Sequence, residues 1–280
     1  MSRADVRALL ASATARLTAV GIPSPRVDAE LLLAAVLDVP RSRLITYSDI
    51  PSPAADLFDG YVARRAAREP LQHITGTAPF RHLVLAVGPG VFVPRPETEL
   101  LVDAVLPHLR AVDGPLAIDL CSGSGALALA IADELPGARV VAVERSSPAL
   151  RWLRRNAAGT DVRVVDGDVR DHDLLRPYHG EADAVVANPP YVPLAADVDP
   201  EVCADPGEAV FAGADGLDLI PPVVSCAALL LKSGGLFALE HDDSHATAVP
   251  DLLGADRRWI DVTERRDLTG RPRYVVATRR

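Results

Sequence analysis

Asn188-Pro189-Pro190-Tyr191 follows the apolar run Ala184-Val185-Val186-Ala187. A short β-branched run stopped by two prolines reads as a buried strand that ends at the first of them. In open α/β sheets ligands bind just beyond the carboxyl ends of strands, so Asn188 stands where chemistry is done. Each proline removes a backbone donor, keeps its carbonyl and fixes φ. The result is a stiff group of acceptors, the Asn188 side-chain oxygen and the Pro189 carbonyl, beside the Tyr191 ring. Such a set suits a planar NH2 group, which has two hydrogens to be accepted and two faces to be covered. In isolation the same residues fit an ordinary Asn-Pro turn equally well, and the rest of the chain decides between the two.

A second cluster is Asp119-Leu120-Cys121-Ser122-Gly123-Ser124-Gly125-Ala126. Gly123 and Gly125 allow a tight strand-to-helix turn and close approach to a ligand. Cys121 occupies the place of the first glycine of a dinucleotide fingerprint, which weakens that reading. Asp119 before the loop, with Asp166 and Asp168 after a later strand, makes a carboxylate-lined region that suits a positively charged ligand better than a pyrophosphate. Glu144 ends the next strand at about the twenty-residue spacing typical of an acid that grips ribose hydroxyls; a solvated loop glutamate is the plainer alternative. Asp168 can accept from an adenine amine while Val169 packs on the ring, and a turn-capping aspartate is the competing reading. Together these residues imply an adenosyl ligand without phosphate. S-adenosylmethionine, a sulfonium cation, fits all three.

The elements that position these residues alternate. Leu116–Leu120, Arg139–Val143, Val162–Val165, Ala184–Val186 and Leu236–Glu240 read as strands, with helices over 126–135, 148–158 and 217–231, the last ending at Ser233-Gly234-Gly235. Regular βα alternation predicts a mostly parallel sheet with helices on both faces. Residues 258–262 and 274–278 read as a closing pair that adds an antiparallel edge. Upstream, residues 2–70 look helical throughout. Val6, Leu9, Leu10, Ala13 and Leu17 recur at helical spacing, Asp28 precedes a second apolar helix, and a further helix follows Pro53. Between the two regions, Phe80, Leu83, Val84, Leu85 and Val87 lie between Gly76 and Gly88-Pro89-Gly90 and read as a linking hairpin. Glu97 and Glu99 open a helix through Leu109, where simple complementarity to the helix N-terminus would suffice.

The chain has 280 residues and a net charge of −9, enough for one large and one smaller domain. The acidity argues against a protein whose main affinity is for duplex DNA. It lies outside the first 70 residues, where nine Arg face eight Asp plus Glu. Cys121, Cys203 and Cys226 are too few and too scattered for a disulfide framework or a zinc site. Met1 to Leu10 lacks a signal-peptide core, and no apolar run approaches the roughly 18 residues of a membrane span. A cytoplasmic location is expected. His73, His82 and His241-Asp242-Asp243-Ser244-His245 fit no standard metal spacing and read as solvated loop.

The assembled motifs resemble the class I S-adenosylmethionine-dependent methyltransferases that modify planar amino groups. More specific segments narrow this: Pro94-Arg95-Pro96-Glu97-Thr98-Glu99, Pro70-Leu71-Gln72-His73-Ile74-Thr75-Gly76, and Pro206 to Gly213 followed by Asp215-Gly216-Leu217-Asp218. These are similar to the peptide chain release factor N5-glutamine methyltransferases, the HemK/PrmC family, over about the whole chain. The resemblance implies an α/β fold: a Rossmann-like methyltransferase domain with a mostly parallel seven-stranded sheet over 94–280. A helical substrate-recognition bundle over 1–72 and a β-hairpin linker over 73–93 precede it. It implies a substrate, the glutamine of the Gly-Gly-Gln loop of class I release factors, and a monomer with no direct nucleic-acid or membrane partner. By position, Cys121, Ser122, Gly123, Ser124 and Gly125 would contact the methionine part of the cofactor, Glu144 the ribose, and Asp168 with Val169 the adenine. Asn188, Pro189, Pro190 and Tyr191 would hold the glutamine amide, flanked by Phe80, for which plain hairpin core is the alternative. The Pro94–Glu99 segment would close over the cofactor. Cys121 replaces a glycine common in the family and Asp205 a glutamate; neither is expected to abolish cofactor binding. Other readings are a ribosomal-protein glutamine methyltransferase, an adenine-N6 nucleic-acid methyltransferase, and a non-catalytic adaptor that grips a translation factor.

Overall fold

The computed structural model describes residues 3–280; Met1 and Ser2 lie outside the described residues. The chain forms two compact units, one of residues 3–77 with Val198–Ala204, the other of Ala78–Asp197 with Asp205–Arg280.

The first unit contains β1 (Arg3–Asp5), α1 (Val6–Ala19), α2 (Pro25–Leu37), β2 (Asp49–Pro51), α3 (Ser52–Ala66) and α4 (Leu71–Thr75). Asp5 caps α1 by accepting from the Ala8 N–H at 2.7 Å, which satisfies one of the free donors at a helix start. Pro25 opens α2 and Asp38, in the left-handed conformation, ends it, as helix-end preferences dictate. Val6, Leu10, Ala13 and Leu17 are the buried face of α1, and they join Leu32, Leu33, Phe58 and Val62 in one core. The helical periodicity is therefore real over most of residues 3–70, with one correction. β1 pairs antiparallel with β2, Ala4 opposite Ile50, and three-residue strands are too short to show a period of two.

Asp28 does not precede α2 but lies inside it, buried. Its Oδ2 accepts from Arg65 Nε at 2.7 Å. Arg65 also donates to Glu201 Oε1 at 2.8 Å, and Arg68 to Glu201 Oε2 at 2.8 Å. Glu201 thus ties the segment Val198–Ala204 into the helical unit. Removing one partner of a buried pair leaves the other charge desolvated and alone. Arg65→Ala is expected to lower unfolding stability by about 3–5 kcal/mol, measured by urea denaturation, with Arg65→Lys recovering part of it. A loss no larger than that of exposed Arg3→Ala would show that water reaches Asp28.

The second unit runs through β3 (Thr77–Phe80), β4 (Leu83–Ala86), α5 (Glu99–Leu109), β5 (Leu116–Leu120), α6 (Ala126–Glu134), β6 (Arg139–Glu144), α7 (Ser147–Ala157), β7 (Arg163–Asp166), β8 (Ala182–Ala187), α8 (Gly207–Val210), α9 (Ile220–Leu230), β9 (Leu231–Glu240), α10 (Ala248–Ala255), β10 (Trp259–Arg266) and β11 (Pro272–Arg279). Seven strands form one sheet in the order β10-β11-β9-β8-β5-β6-β7. All neighbours from β9 to β7 are parallel, and β11 runs antiparallel to both β9 and β10. The predicted mostly parallel sheet with an antiparallel edge is what forms. Alternation along β5 sends Leu116, Ile118 and Leu120 into a core shared with α9 and α10, and Ala117 into a core shared with α5, α6 and α7.

Two boundaries differ from the sequence reading. Ser233-Gly234-Gly235 does not end a helix but lies within β9. A Cβ at Gly235 would sit 3.0 Å from the Ala182 carbonyl, so the glycine admits β9 beside β8 where their register shifts. The hairpin β3–β4, read as a linker over 73–93, packs with the second unit, where Phe80 and Leu85 are buried in its core.

Candidate active site

Parallel pairing sets four strand ends level. Leu120 lies opposite Ala187 and Val143, and Ala187 opposite Leu239. The next residue of each strand is Cys121, Asn188, Glu144 or Glu240. All four stand along the carboxyl edge, around the point between β5 and β8 where the strand order reverses, the usual ligand crevice of such sheets.

At the turn after β5, Ser122 Oγ donates to the Asp119 carbonyl at 2.9 Å and Gly125 N to the Ser122 carbonyl at 2.8 Å. Gly123 and Gly125 have φ of 56° and 90°, but their reasons for being glycine differ. A Cβ at Gly125 would meet Leu153 Cδ1 at 2.6 Å, whereas one at Gly123 would meet nothing within 4 Å. Gly125 lets α6 approach α7; Gly123 borders open space. Cys121 adopts φ 61° without glycine's freedom. Burial pushes its thiol well above the usual value, with Glu144 and Asp119 adding to the effect, so it is a neutral lining group and no nucleophile.

Glu144 is buried, not a solvated loop residue. Its Oε2 accepts from Gly123 N at 2.9 Å, and its Oε1 from Arg145 N and Ser146 N at 2.8 and 2.7 Å. A carboxylate has about four acceptor positions, so Glu144 can hold the turn and still accept from a further hydroxyl. Asp168 caps its own turn through Arg170 N at 2.9 Å. Arg145 and Arg170 lie 3.7 and 3.5 Å from its Oδ2, so this end of the crevice is less negative than the carboxylates alone imply. Val169 is buried against the sheet core. Asp119 accepts from Ala128 N at 3.2 Å through Oδ2, while its buried Oδ1 has no partner. Burial pushes its carboxyl up to about 7.

On the other side of the reversal, Asn188 Nδ2 donates to Thr98 Oγ1 at 2.9 Å. The Tyr191 hydroxyl donates to Glu240 Oε1 at 2.8 Å. Burial, then the Glu240 charge, pushes the Tyr191 phenol well above its usual value. Burial pushes Glu240 up to about 7, opposed by Thr98, Tyr191 and Arg273 and assisted by Glu97. Two supports hold these residues in place. Asp205 accepts from Val93 N at 3.2 Å and from Arg95 Nη2 at 2.7 Å, anchoring the segment that carries Thr98. Gly216, at φ 80°, passes so close to Tyr191 that a Cβ would lie 2.2 Å from its carbonyl oxygen. Glu99 does more than complement a helix end, since its Oε1 accepts from Arg81 N at 2.9 Å.

The sequence reading brought together the turn after β5, Glu144, Asn188 and Tyr191. It missed Glu240 and the link from Thr98 to Asn188, although Glu240 ends an apolar strand just as Glu144 does. Phe80 is 1% exposed and packs in the core with Leu85 and Leu101. His73, His241 and His245 are not in solvated loops but buried, with His245 Nε2 2.8 Å from the Asp215 carbonyl. Among the described residues no group of His, Cys, Asp and Glu could hold a metal ion.

Fold and site define an α/β methyltransferase. Residues 8–76 match the PrmC N-terminal domain family and residues 85–203 the methyltransferase small domain family. The release factor glutamine methyltransferase of Mycolicibacterium smegmatis is 50% identical over 275 residues, 98% of each chain. A 4-amino-L-phenylalanine/4-methylamino-L-phenylalanine methyltransferase of Streptomyces pristinaespiralis is 40% identical, covering 91% of this chain and 89% of that one. Among solved structures, the Thermus thermophilus 16S rRNA N2 G1207 methyltransferase shares the fold with a TM-score of 0.50 and 22% identity, over 73% of this chain and 50% of that one. The chain belongs to the release factor glutamine methyltransferase family.

Glu240 carries a linkage consequence. Its carboxyl rises from an ordinary 4.5 to about 7 on folding, so between these values the folded state holds a proton that the unfolded state has released. Stability therefore falls as pH rises through this window, by about 3 kcal/mol at most for this group. Asp119 acts in the same direction. Urea denaturation from pH 4.5 to 8 is expected to show a slope shallower by about one proton in Glu240→Gln than in the parent. Equal slopes would mean that Glu240 titrates normally.

Proposed function

We propose that this protein transfers a methyl group from S-adenosylmethionine to the side-chain amide nitrogen of the glutamine in the Gly-Gly-Gln motif of class I release factors. The observation that carries this is Asn188. Its nitrogen is committed to Thr98, and its oxygen, beside the Pro189 carbonyl, makes no hydrogen bond among the described residues. Two fixed acceptors at a sheet's ligand edge suit a planar NH2 group.

The residues present fit the cofactor. Gly123 borders open space, and Glu144 keeps an acceptor position for a ribose hydroxyl. Cys121, Ser122, Gly123, Ser124 and Gly125 would cradle the methionine part, Glu144 the ribose, and Asp168 with Val169 the adenine. When bound, the cofactor supplies an electrophilic methyl group on a sulfonium. The protein's own contribution is positioning. Amide resonance makes the glutamine nitrogen a poor nucleophile, so Asn188 Oδ1 and the Pro189 carbonyl bind its hydrogens and aim its lone pair. Positive charge grows on that nitrogen as it is methylated, and both acceptors bind it more tightly then than in the ground state. The Tyr191 ring covers one face of the amide. No general base is needed, because the methylated amide is acidic enough to lose its proton to water. Phe80, the expected flank of the amide, is 1% exposed in the core, so any part it plays at the substrate would require it to come out of that packing. Residues 94–280 would carry the chemistry, with 73–93 as the connecting hairpin, and the N-terminal residues 1–72 would recognise the body of the release factor.

The relative that acts on 4-amino-L-phenylalanine favours one second reading, a small aromatic amine, whose NH2 is also planar. Mass spectrometry separates the two. Unmodified class I release factor, or free 4-amino-L-phenylalanine, is incubated with the protein and S-adenosylmethionine. One methyl on the Gly-Gly-Gln peptide is expected, with Asn188→Ala slowed by about 10²-fold or more. Methylation of the amino acid alone would overturn the release-factor reading.

A further inference from the structure

We infer that Thr98 and Glu240 are positioning residues that fix which end of the Asn188 amide faces the substrate. This rests on the release-factor reading only for the identity of the NH2 group being bound.

An asparagine amide has two ends of nearly equal shape and opposite hydrogen-bonding character. With Oδ1 toward the crevice, Asn188 accepts from an incoming NH2; with Nδ2 there, it repels one. The bond from Nδ2 to Thr98 Oγ1 at 2.9 Å selects the accepting orientation. A threonine hydroxyl alone cannot enforce this choice, because it donates as readily as it accepts. What enforces it is the destination of the hydroxyl proton. Glu240, 1% exposed at the end of β9, faces Thr98, and the hydroxyl favours its ionised form. That carboxylate already receives the Tyr191 proton on Oε1 at 2.8 Å, while Oε2 has no hydrogen bond of normal geometry. An ionised carboxylate only accepts. It draws the Thr98 proton toward itself, which leaves a Thr98 lone pair for Asn188 Nδ2. With the hydroxyl turned to the unbonded Glu240 Oε2, the donors of Asn188, Thr98 and Tyr191 would all point inward, and Asn188 Oδ1 would be left to accept from the substrate.

Protonation of Glu240 reverses the logic. A carboxylic acid can donate to Thr98, whose own proton is then free to turn to Asn188 and favour the flipped amide. The charged and titratable groups that face Glu240 are Tyr191 after β8, Arg273 on β11 and Glu97 ahead of α5. Arg273 favours the carboxylate and Glu97 disfavours it. Asp119 also gains a proton near neutral pH, so a pH effect belongs to Glu240 only if Glu240→Gln removes it.

The test combines turnover with an observable that needs no substrate. In the full-length protein, the Asn188 side-chain amide is followed by 15N NMR, assigned by its absence in Asn188→Ala. In the parent at pH 8 one Nδ2 proton is expected to be protected from exchange, and the signal should move as pH falls through about 7. Thr98→Val, which keeps the shape, should abolish protection and lower kcat on the release factor about tenfold. Cofactor affinity and release-factor KM should change by less than about twofold. Thr98→Ser should restore both protection and turnover. The kcat of the parent should rise with pH through about 7, and Glu240→Gln should be slow and flat over that range. Unchanged protection in Thr98→Val, or a serine variant as poor as the valine one, would overturn the assignment. If the release factor is not methylated but the amide signal behaves as expected, the substrate reading fails and the positioning role stands. Methylation with an amide signal indifferent to Thr98 and Glu240 would mean the reverse.

Discussion

The structure depends on the register of a parallel sheet. Once Leu120, Val143, Ala187 and Leu239 are held level by strand pairing, the residues that follow cannot avoid one another. Cys121, Glu144, Asn188 and Glu240 are crowded along one edge, above a core of Ile118, Val185 and Phe237 that excludes water. Polar groups in such a place must be paired or must shift their protonation. Glu144 accepts from three backbone N–H groups, shared between its two oxygens, and keeps one acceptor position. Asp119 and Glu240 are paired by half, and those are the two carboxyls that burial pushes up to about 7. The apolar faces of the sheet offset that cost, while the incompletely paired oxygens stay at the edge where the ligand crevice lies.

The connection after β8 shows how the edge is kept in place. Beyond Tyr191 the chain leaves the second unit at Asp197, contributes Val198–Ala204 to the helical unit, and returns at Asp205. Two carboxylates fasten this stretch. Within the helical unit Glu201 receives Arg65 and Arg68. Within the second unit Asp205 receives Val93 N and Arg95. Asp205 is therefore an anchor for the segment that delivers Thr98. The nearby backbone gives it little slack, since Gly216 touches the Tyr191 carbonyl closely enough to exclude any side chain.

Much of this was legible in the sequence, and for definable reasons. Period-2 and period-3.6 patterns found nearly every long element, and the stop at Pro189 located the end of β8. An acid at a strand end identified Glu144 without any knowledge of what lies across the sheet. The same rule applies to Glu240, which is masked by the following His241–His245 run, whose buried histidines serve packing and backbone contacts. Other features were not legible, because they depend on pairs far apart in sequence. Nothing near Thr98 announces a bond to a residue ninety positions away. Nothing near Gly125 shows that its missing Cβ makes room for Leu153 and not for a ligand. The strands β1 and β2 are too short to leave a pattern, and the burial of Asp28 becomes intelligible only with Arg65 in place.

The Asn188-Pro189-Pro190-Tyr191 motif specifies less than a whole substrate. In the proposed reaction Asn188 and the Pro189 carbonyl would recognise two hydrogens on a planar nitrogen whose lone pair is delocalised, and a glutamine amide shares that description with an aromatic amine. A relative named for each kind of substrate, at 50% and 40% identity, is what such chemistry allows. Discrimination must come from surfaces that touch the rest of the substrate, because a pair of acceptors cannot sense what lies beyond the NH2 group. The rigid part of the site, Asn188 with its Thr98 and Glu240 supports, can then stay constant while neighbouring surfaces change what is delivered to it. If the proposed function holds, the helical unit would be the place where a protein substrate is told apart from a free amino acid, and the strand edge would decide only which of its nitrogen atoms can react.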